Sequence, residues 1–286
     1  MRINLTKNPP IAIGAIGGSG TRVVARIMSE MNCFIGSVLN EELDNLFYTY
    51  FFKYRQLLRL CEEDKTTLLN LFVRANIGPA IELSVKEREI FNGILVNQLH
   101  STETSSIVAA LHDQISGAFK SDKPIPERWG WKEPNIHFII PELMRYMPQT
   151  RYIHVVRNGL DMAYSKNKNQ PRLWGADMLG RPYDPSPSYA LSYWCAVHRR
   201  ILHWREIYPD NILIVQFESL CANPMPEIAK ILDFCSITYD ENSLDNLSKL
   251  VVAPSTISRH QTFHTDVFDP EDIYFIQEKW VSALHQ

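Results

Sequence analysis

The 286-residue sequence contains no apolar run long enough to span a membrane. Its first ten residues, MRINLTKNPP, also lack the apolar core that a signal peptide carries. The cysteines are odd in number and include no C-x-x-C pair, which favours reduced thiols over a disulfide framework. They are Cys33, Cys61, Cys195, Cys221 and Cys235. These absences predict a cytoplasmic protein with no membrane span.

A strong net charge is missing as well. The formal net charge is -3, with 21% of the residues charged, so the chain has no general attraction to nucleic acid or to anionic membranes. We therefore expect no nucleic-acid partner, and an anion site must be built from locally placed basic residues. Because 45% of the residues are hydrophobic, the chain can bury one sizeable core. We predict a single domain over residues 1–286.

Short apolar segments alternate with helical patterns along much of the chain. Strands are predicted at Pro10–Ile16, Trp129–Lys132, Tyr152–Val156 and Ile212–Phe217. Strands alternating with helices favour a parallel sheet with right-handed crossovers. We therefore predict a three-layer α/β fold, with a P-loop-like parallel sheet flanked by helices. Residues from about 40 to 120 show only helical patterns, which indicates a helical insertion after the first strand and helix.

A glycine-rich loop, GAIGGSGTRVVARIM from Gly14 to Met28, follows the first strand. Its glycines let the backbone approach a bound oxyanion, and the helix beginning near Gly20 aims unpaired N–H groups at that ligand. A loop for ATP would carry a lysine after its last glycine, whereas Thr21 stands there. The loop thus predicts an anion cradle that is not built for metal-bound ATP. Its candidate binding residues are Gly17, Gly18, Ser19, Gly20, Thr21 and Arg22.

A second candidate element is RYIHVVRNGLDMAYS, from Arg151 to Ser165. Arg157 comes directly after a β-branched strand, and Asn158 with Asp161 three residues later is typical of a helix start. Ser165 lies eight residues beyond Arg157, about two helical turns along, where its hydroxyl could reach the same ligand. A guanidinium and a hydroxyl suit a phosphate, and ligands of parallel sheets bind at the carboxyl ends of the strands.

Together the two elements resemble those of sulfotransferases that use 3'-phosphoadenosine 5'-phosphosulfate (PAPS). In that family a [KR]-S-G-[TS]-T loop binds the 5'-phosphosulfate, and an R-x7-S element binds the 3'-phosphate. The matching residues here are Gly18, Ser19, Gly20 and Thr21 for the loop, and Arg157 and Ser165 for the second element. The resemblance implies PAPS as co-substrate, its product 3'-phosphoadenosine 5'-phosphate (PAP), and no metal.

Two further segments bear on this resemblance. W-G-W-K-E-P, from Trp129 to Pro134, is similar to the K-[DE]-P signature of the bacterial and Golgi-type branches, which places Lys132 at the transferring sulfuryl group. The family usually has Lys or Arg where this chain has Gly18. Positive charge at the bridging oxygen must then come from Lys132, from Arg22 or from both.

The resemblance implies in-line transfer of a sulfuryl group to an acceptor hydroxyl, assisted by a carboxylate base. Relatives in these branches use a Glu shortly after the first helix, and the corresponding segment here is NEELDNLFYTYFF. On a helix beginning near Asn40, Glu42 and Asp44 would flank the apolar stripe, so both are candidate bases; Glu133 is a weaker rival. Late in the chain, Arg259 in VVAPSTISRH could contact the 3'-phosphate or the adenine.

Two alternatives remain open on the sequence. One is a nucleotide kinase-like P-loop enzyme, although the loop lysine that it needs is absent. The other is a catalytically inactive nucleotide-binding module, which the missing basic residue at Gly18 favours. The acceptor is expected to be a small-molecule or glycan hydroxyl. No sequence motif specifies which acceptor it is, and none specifies the oligomeric state.

Overall fold

The computed structural model describes residues 9–99, 105–123, 125–263 and 266–280. Four strands form one sheet in the order β2-β1-β3-β4, and every neighbouring pair is parallel. The strands are β1 (Ile11–Ala15), β2 (Gly130–Lys132), β3 (Arg151–Val156) and β4 (Ile212–Gln216). They lie where the apolar segments predicted them, and the α/β fold is confirmed.

The order of the strands reverses at β1. After β1 the chain adds β2 on one side, and it then crosses to add β3 on the other side. Ile13 accordingly lies between Lys132 of β2 and Ile153 of β3 in register. In parallel sheets a crevice opens beyond the carboxyl ends of the strands at such a reversal. Any ligand site of the sheet is therefore expected beyond β1 and β3.

The helical insertion is also present. After α1 (Thr21–Glu30), and before β2, the chain forms α2 (Leu46–Phe52), a 3-10 turn (Arg55–Arg59), α3 (Glu62–Ile77), α4 (Val85–Leu99) and α5 (Ser105–Phe119). Aromatic rings attach this insertion to the sheet, with Tyr48 stacked on Trp131 of β2 at 5.9 Å and Phe72 edge-on to Trp131 at 5.1 Å between ring centroids. Such pairs stabilise a core beyond the area that they bury.

Both faces of the sheet are covered. Ile11, Ile13 and Ala15 point into one core together with α1 and α11, whereas Ala12 points into a second core that includes the insertion. This alternation along a buried strand creates three layers. The remaining helices are α6 (Ile140–Tyr146), α7 (Gly159–Ala163), α8 (Asn169–Leu179), α9 (Pro187–Ile207), α10 (Phe217–Ala222), α11 (Pro224–Phe234), α12 (Glu241–Ser248) and α13 (Pro270–Tyr274), with 3-10 turns at Pro134–Ile139 and Arg259–Thr262 and a π-helix at Phe275–Trp280.

The five cysteines are free thiols. No helix in the described part of the chain is both long and apolar enough to cross a membrane.

Candidate active site

A cavity of about 510 Å³ opens where the strands end. The glycine loop follows β1, Lys132 ends β2, Arg157 follows β3 and Phe217 follows β4, and all four contribute to its wall. The sheet thus brings the two predicted anion-binding elements to one space. Among the sequence-predicted residues, those that line the cavity are Gly17, Gly18, Gly20, Thr21, Arg22, Glu42, Asp44, Lys132 and Arg157.

The loop owes its shape to two glycines in the left-handed region. Gly18 has φ +98° and Gly20 has φ +93°, and a Cβ on Gly20 would lie 2.2 Å from Cδ2 of Phe217. Gly20 is also the N-cap of α1, and no side chain of a described residue caps this end. The first amides of α1 therefore carry the uncompensated positive end of the helix dipole at the cavity. A lysine at position 18, as the family usually has, would carry backbone strain at this φ.

Ser19 is placed differently from its neighbours. Its hydroxyl is fully buried, has no hydrogen-bond partner among the described residues, and does not line the cavity. Its backbone N–H donates to the oxygen of Ile16 at 3.2 Å. The predicted contact between Ser19 and a bound sulfate stays a prediction.

Lys132 lines the cavity and contacts the loop that carries Glu42 and Asp44. Its side chain is only 3% exposed, and its Nζ donates to the backbone oxygen of Glu42 at 3.0 Å and contacts the carboxylate of Asp44. The Asp44 side chain is 15% exposed. Two residues predicted for catalysis, 88 positions apart in the chain, therefore form an ion pair.

The helix predicted from Asn40 onward is wrong. Residues 39–45 form a turn, in which the Asn40 side chain accepts from the Asp44 N–H at 2.8 Å and donates to Asp44 Oδ2 at 3.0 Å. Leu43 lies in the left-handed region at φ +64°. Side-chain bonds to the local backbone compete with the helical ones, so the turn persists and α2 begins only at Leu46. Glu42 and Asp44 consequently lie on a loop.

Asn45 fixes this loop to its surroundings. Its N–H donates to the Lys132 oxygen at 2.8 Å, and its Oδ1 accepts from the Tyr48 N–H at 3.0 Å as the N-cap of α2. Its Nδ2 lies 3.1 Å from both the Ile35 oxygen and Asn76 Oδ1. The residue beside Asp44 is thus bonded to β2, to α2 and to α3.

Glu42 is in a more open position than Asp44. Its side chain is 53% exposed and forms a salt bridge with Arg22, at 3.0 Å between Oε1 and Nη2. Exposed pairs of this kind contribute only about 0–1 kcal/mol to stability. The bridge connects the first turn of α1 to the loop that carries Asp44.

The side chain of Glu133 bonds to the turn that follows β2. It is fully buried, and its carboxylate accepts from Asn135 N at 2.6 Å and from Asn135 Nδ2 at 2.9 Å. Burial raises the pKa of this carboxyl. The bonds cap the 3-10 turn after β2 and so set the direction of the chain beyond Lys132.

Arg157 has the features of an anion-binding residue. It is 5% exposed, its Nη2 donates to Thr256 Oγ1 at 2.9 Å, and its guanidinium lies 5.6 Å from the centre of the Phe217 ring. Its buried Nε has no partner among the described residues. Burial lowers the pKa of Arg157, and the nearby charge of Arg259 lowers it further. A bound anion would relieve the crowding of these two cations and occupy the unused donor.

Ser165 lies beside the glycine loop, and Arg259 lies beside Thr256, the partner of Arg157. Because α7 ends at Ala163, Ser165 is not two helical turns along as predicted, yet its Oγ is 3.9 Å from the point where a Cβ on Gly18 would lie. Arg259 donates from Nε to the Thr256 oxygen at 3.2 Å. Neither is among the described residues that line the cavity. Their contacts with a ligand stay predictions.

Several lining residues escaped the sequence analysis. Phe217 is the last residue of the predicted strand Ile212–Phe217 and directly follows the observed β4, so the strand-end rule that selected Arg157 could have found it. The cavity wall also includes Val23, Arg26, Pro134, Asn167, Leu250, Val252 and Pro254. Leu250, Val252 and Pro254 lie in the loop after α12, and no sequence motif pointed to them. Within the described residues, no group of three or more His, Cys, Asp or Glu side chains is placed to hold a metal ion.

A family model with the description "Sulfotransferase family" matches residues 9–241. The chain belongs to the sulfotransferase family. The match begins just before β1 and covers the glycine loop, Lys132, Arg157 and Ser165. The family resemblance found in the sequence motifs is thereby confirmed.

Individual relatives are distant. A protein of Aquifex aeolicus (strain VF5), described as uncharacterized, is 26% identical over 104 residues, which is 36% of this chain and 13% of that protein. The sulfotransferase domain of the Synechococcus PCC 7002 olefin synthase has 18% identity and a TM-score of 0.48, with 96% of each chain covered. A Mycobacterium avium sulfotransferase has 12% identity and a TM-score of 0.48, with 96% of this chain and 76% of that one covered. A mouse sulfotransferase complexed with PAP has 13% identity and a TM-score of 0.41, with coverages of 98% and 84%.

Proposed function

We propose that this protein transfers a sulfuryl group from PAPS to the hydroxyl of a small-molecule or glycan acceptor. One observation carries the proposal: the first turn of α1 and the guanidinium of Arg157 line a single cavity with Lys132. At about 510 Å³ the cavity is within the range of small-molecule sites. Membership of the sulfotransferase family supports the reaction class.

The two ends of the nucleotide would occupy different parts of this cavity. The 5'-phosphosulfate suits the glycine loop, where close backbone approach and the amides of α1 favour an anion, with Thr21 and Arg22 beside them. The 3'-phosphate suits Arg157, whose buried Nε lacks a partner among the described residues, with Arg259 nearby. Ser165, the other residue of the matching element, has its hydroxyl near Gly18. The loop lacks the lysine that would hold the outer phosphates of ATP, and the proposed ligand has no such phosphates.

Lys132 would stabilise the leaving group. In an in-line transfer, the bond between the acceptor oxygen and sulfur forms while the bond from sulfur to the bridging phosphate oxygen breaks. Negative charge grows on that bridging oxygen, where a pre-positioned ammonium is most effective. Lys132 has to exchange the carboxylate of Asp44 for this oxygen, a change of partner that keeps the buried ammonium compensated.

Asp44 is our choice for the base. It contacts Lys132 directly, so it lies next to the place where sulfur is transferred, whereas Glu42 is half-exposed and bound to Arg22. Once Lys132 turns to the leaving oxygen, the Asp44 carboxylate is available to take the proton of the acceptor hydroxyl. A positioned base typically contributes about 100- to 10,000-fold.

Calorimetric titration of the wild-type protein with PAP, and separately with ATP and Mg²⁺, tests the nucleotide assignment. PAP is expected to bind at least about 100-fold more tightly, because each end of the molecule has its own cationic partner. Arg157→Ala should weaken PAP binding about 100-fold, and Arg145→Ala, at an exposed salt bridge with Glu62, should not change it.

Transfer of labelled sulfate from PAPS to a panel of hydroxyl compounds tests the activity. Product formation that depends on Lys132 supports the proposal. Tight PAP binding with no product from any acceptor would point to the inactive module, and preferential binding of ATP with Mg²⁺ would point to a kinase-like enzyme.

A further inference from the structure

Asp161, a buried carboxylate on α7, has contacts that its predicted role at a helix start does not account for. The side chain is 1% exposed. Its Oδ2 accepts from the Ser258 N–H at 2.7 Å, and its Oδ1 accepts from the His260 N–H at 3.0 Å and from His260 Nδ1 at 2.7 Å. All three donors belong to a loop almost 100 residues further along the chain.

The loop that Asp161 holds is the one that completes the surroundings of Arg157. Thr256 accepts from the Arg157 guanidinium at 2.9 Å, and Arg259 is bonded to the Thr256 backbone oxygen at 3.2 Å. Ser258, between them, is in the left-handed region at φ +63°. A non-glycine residue keeps such a conformation only when surrounding contacts fix it. The bond from Ser258 N–H to Asp161 supplies one such contact.

Electrostatics explains why a carboxylate is needed here. The charges of Arg157 and Arg259 repel one another, and Arg259 lowers the pKa of Arg157 while Asp161 acts in the opposite direction. Hydrogen bonds from His260 and Ser258 overcome the effect of burial and lower the pKa of Asp161. An ionised carboxylate thus lies between the loop and the helix, four residues after Arg157, and it opposes the separation of the two arginines.

We propose that Asp161 is a positioning residue that holds the 256–260 segment against Arg157, so that the site selects nucleotides bearing a 3'-phosphate. This inference rests on the proposed function. Asp161 does not itself contact the nucleotide, because its oxygens are occupied by the loop. Its effect is to place Thr256 and Arg259 where the 3'-phosphate is bound. The 5'-end of the nucleotide, at the glycine loop, does not depend on it.

The test compares two nucleotides that differ only in the 3'-phosphate. Dissociation constants for PAP and for adenosine 5'-phosphate are measured by calorimetry on the wild type, Asp161→Asn and His260→Ala. Asp161→Asn keeps the size of the side chain and should weaken PAP binding about 10-fold, while binding of adenosine 5'-phosphate stays within about 2-fold. His260→Ala removes part of the same contact and should give a smaller loss in the same direction.

Asp240→Asn is the matched control. Asp240 also accepts from a backbone N–H and a side chain, Ser243 N at 2.7 Å and Ser243 Oγ at 2.6 Å, but at the exposed start of α12. This variant should bind both nucleotides as the wild type does. Because Asp161 and His260 act on one contact, the double variant should bind PAP about as weakly as Asp161→Asn alone.

Equal losses for both nucleotides would show that Asp161 only supports the fold and would overturn the inference. Unchanged PAP affinity would overturn it as well. Both results leave the proposed function intact, since the wild type would still bind PAP tightly. A wild type that does not prefer PAP to adenosine 5'-phosphate would overturn both. If Asp161→Asn fails to fold, the PAP affinity of His260→Ala tests the inference instead. The His260 side chain is partly exposed, so its removal is expected to leave the fold intact.

Discussion

The ammonium of Lys132 contacts the carboxylate of Asp44 on the wall of the cavity. The two residues come from separate elements, the end of β2 and the loop before α2. The Asp44 carboxylate compensates the charge of a lysine that is almost fully buried, so the lysine can stay protonated without a ligand. In the proposed function, a bound phosphosulfate would compete with the Asp44 carboxylate for the same ammonium.

Replacing Lys132 with alanine should lower kcat by about 100- to 1,000-fold, because the leaving oxygen loses its preorganised positive charge. PAP affinity should change far less than kcat. Steady-state kinetics of PAPS turnover with calorimetry of PAP binding measures both. Lys65→Ala is the control, since Lys65 is another little-exposed lysine, paired with Glu142 at 2.9 Å. Retention of wild-type kcat in Lys132→Ala would contradict the role.

Asp44→Asn and Glu42→Gln should have unequal effects. The first should lower kcat about 100- to 10,000-fold through loss of the base, whereas the second removes only an exposed contact with Arg22 and should stay within about 3-fold. Parallel kinetic measurements at saturating PAPS compare the two. The opposite ranking would transfer the role of base to Glu42.

Gly18→Ala and Gly20→Ala should lower the free energy of unfolding by different amounts, because only the second adds a steric conflict to backbone strain. At Gly18 a Cβ meets Met162 Cε at 3.6 Å, an ordinary contact, so Gly18→Ala should cost only the strain of φ +98°, about 1–2 kcal/mol. At Gly20 the Cβ would lie 2.2 Å from the Phe217 ring, so Gly20→Ala should destabilise the protein more. Chemical denaturation of both variants checks this order. Equal stabilities would show that the loop shape is not fixed by Phe217.

Buried histidines should make the protein sensitive to acid. His154 Nε2 lies 3.3 Å from His198 Nε2, and burial lowers the pKa of His198 to about 3 and the pKa values of His154 and His137 well below 6.5. The folded state therefore keeps them neutral while the unfolded chain binds protons below about pH 6.5. Stability is present above that pH and is lost as the pH falls, by about 1.4 kcal/mol per pH unit for each histidine.

Urea denaturation between pH 8 and pH 5.5 measures this dependence. His154→Gln should reduce the slope below pH 6.5 by one proton. A flat profile in the wild type would show that these histidines do not resist protonation.

The parts of the site that lie at strand ends could be predicted from the sequence. Four apolar segments defined the strands, and Arg157 follows from its position after a strand because parallel strands end at one edge. Lys132 was selected by the resemblance of W-G-W-K-E-P to a family signature. The helix from Asn40 was predicted wrongly, because the side chain of Asn40 binds Asp44 and holds a turn against the helical pattern. The contact of Lys132 with Asp44 spans 88 residues and leaves no periodic signal in the sequence.

The contacts of Asp161 could not be predicted from local sequence patterns either. The spacing from Asn158 to Asp161 does mark a helix start, and the Asn158 side chain accepts from the Asp161 N–H at 3.1 Å. The side chain of Asp161, however, serves a loop that no local pattern connects with it. Contacts between distant loops depend on the completed fold, and motif spacing does not encode them.

The hydrogen bonds of Asn45 have a consequence for the turn of residues 39–45. They fix this turn relative to β2, α2 and α3, so a substitution at Asn45 is expected to shift Asp44 relative to Lys132. The candidate base is therefore held from two sides, by its neighbour Asn45 and by the bond from the Asn40 side chain to its carboxylate.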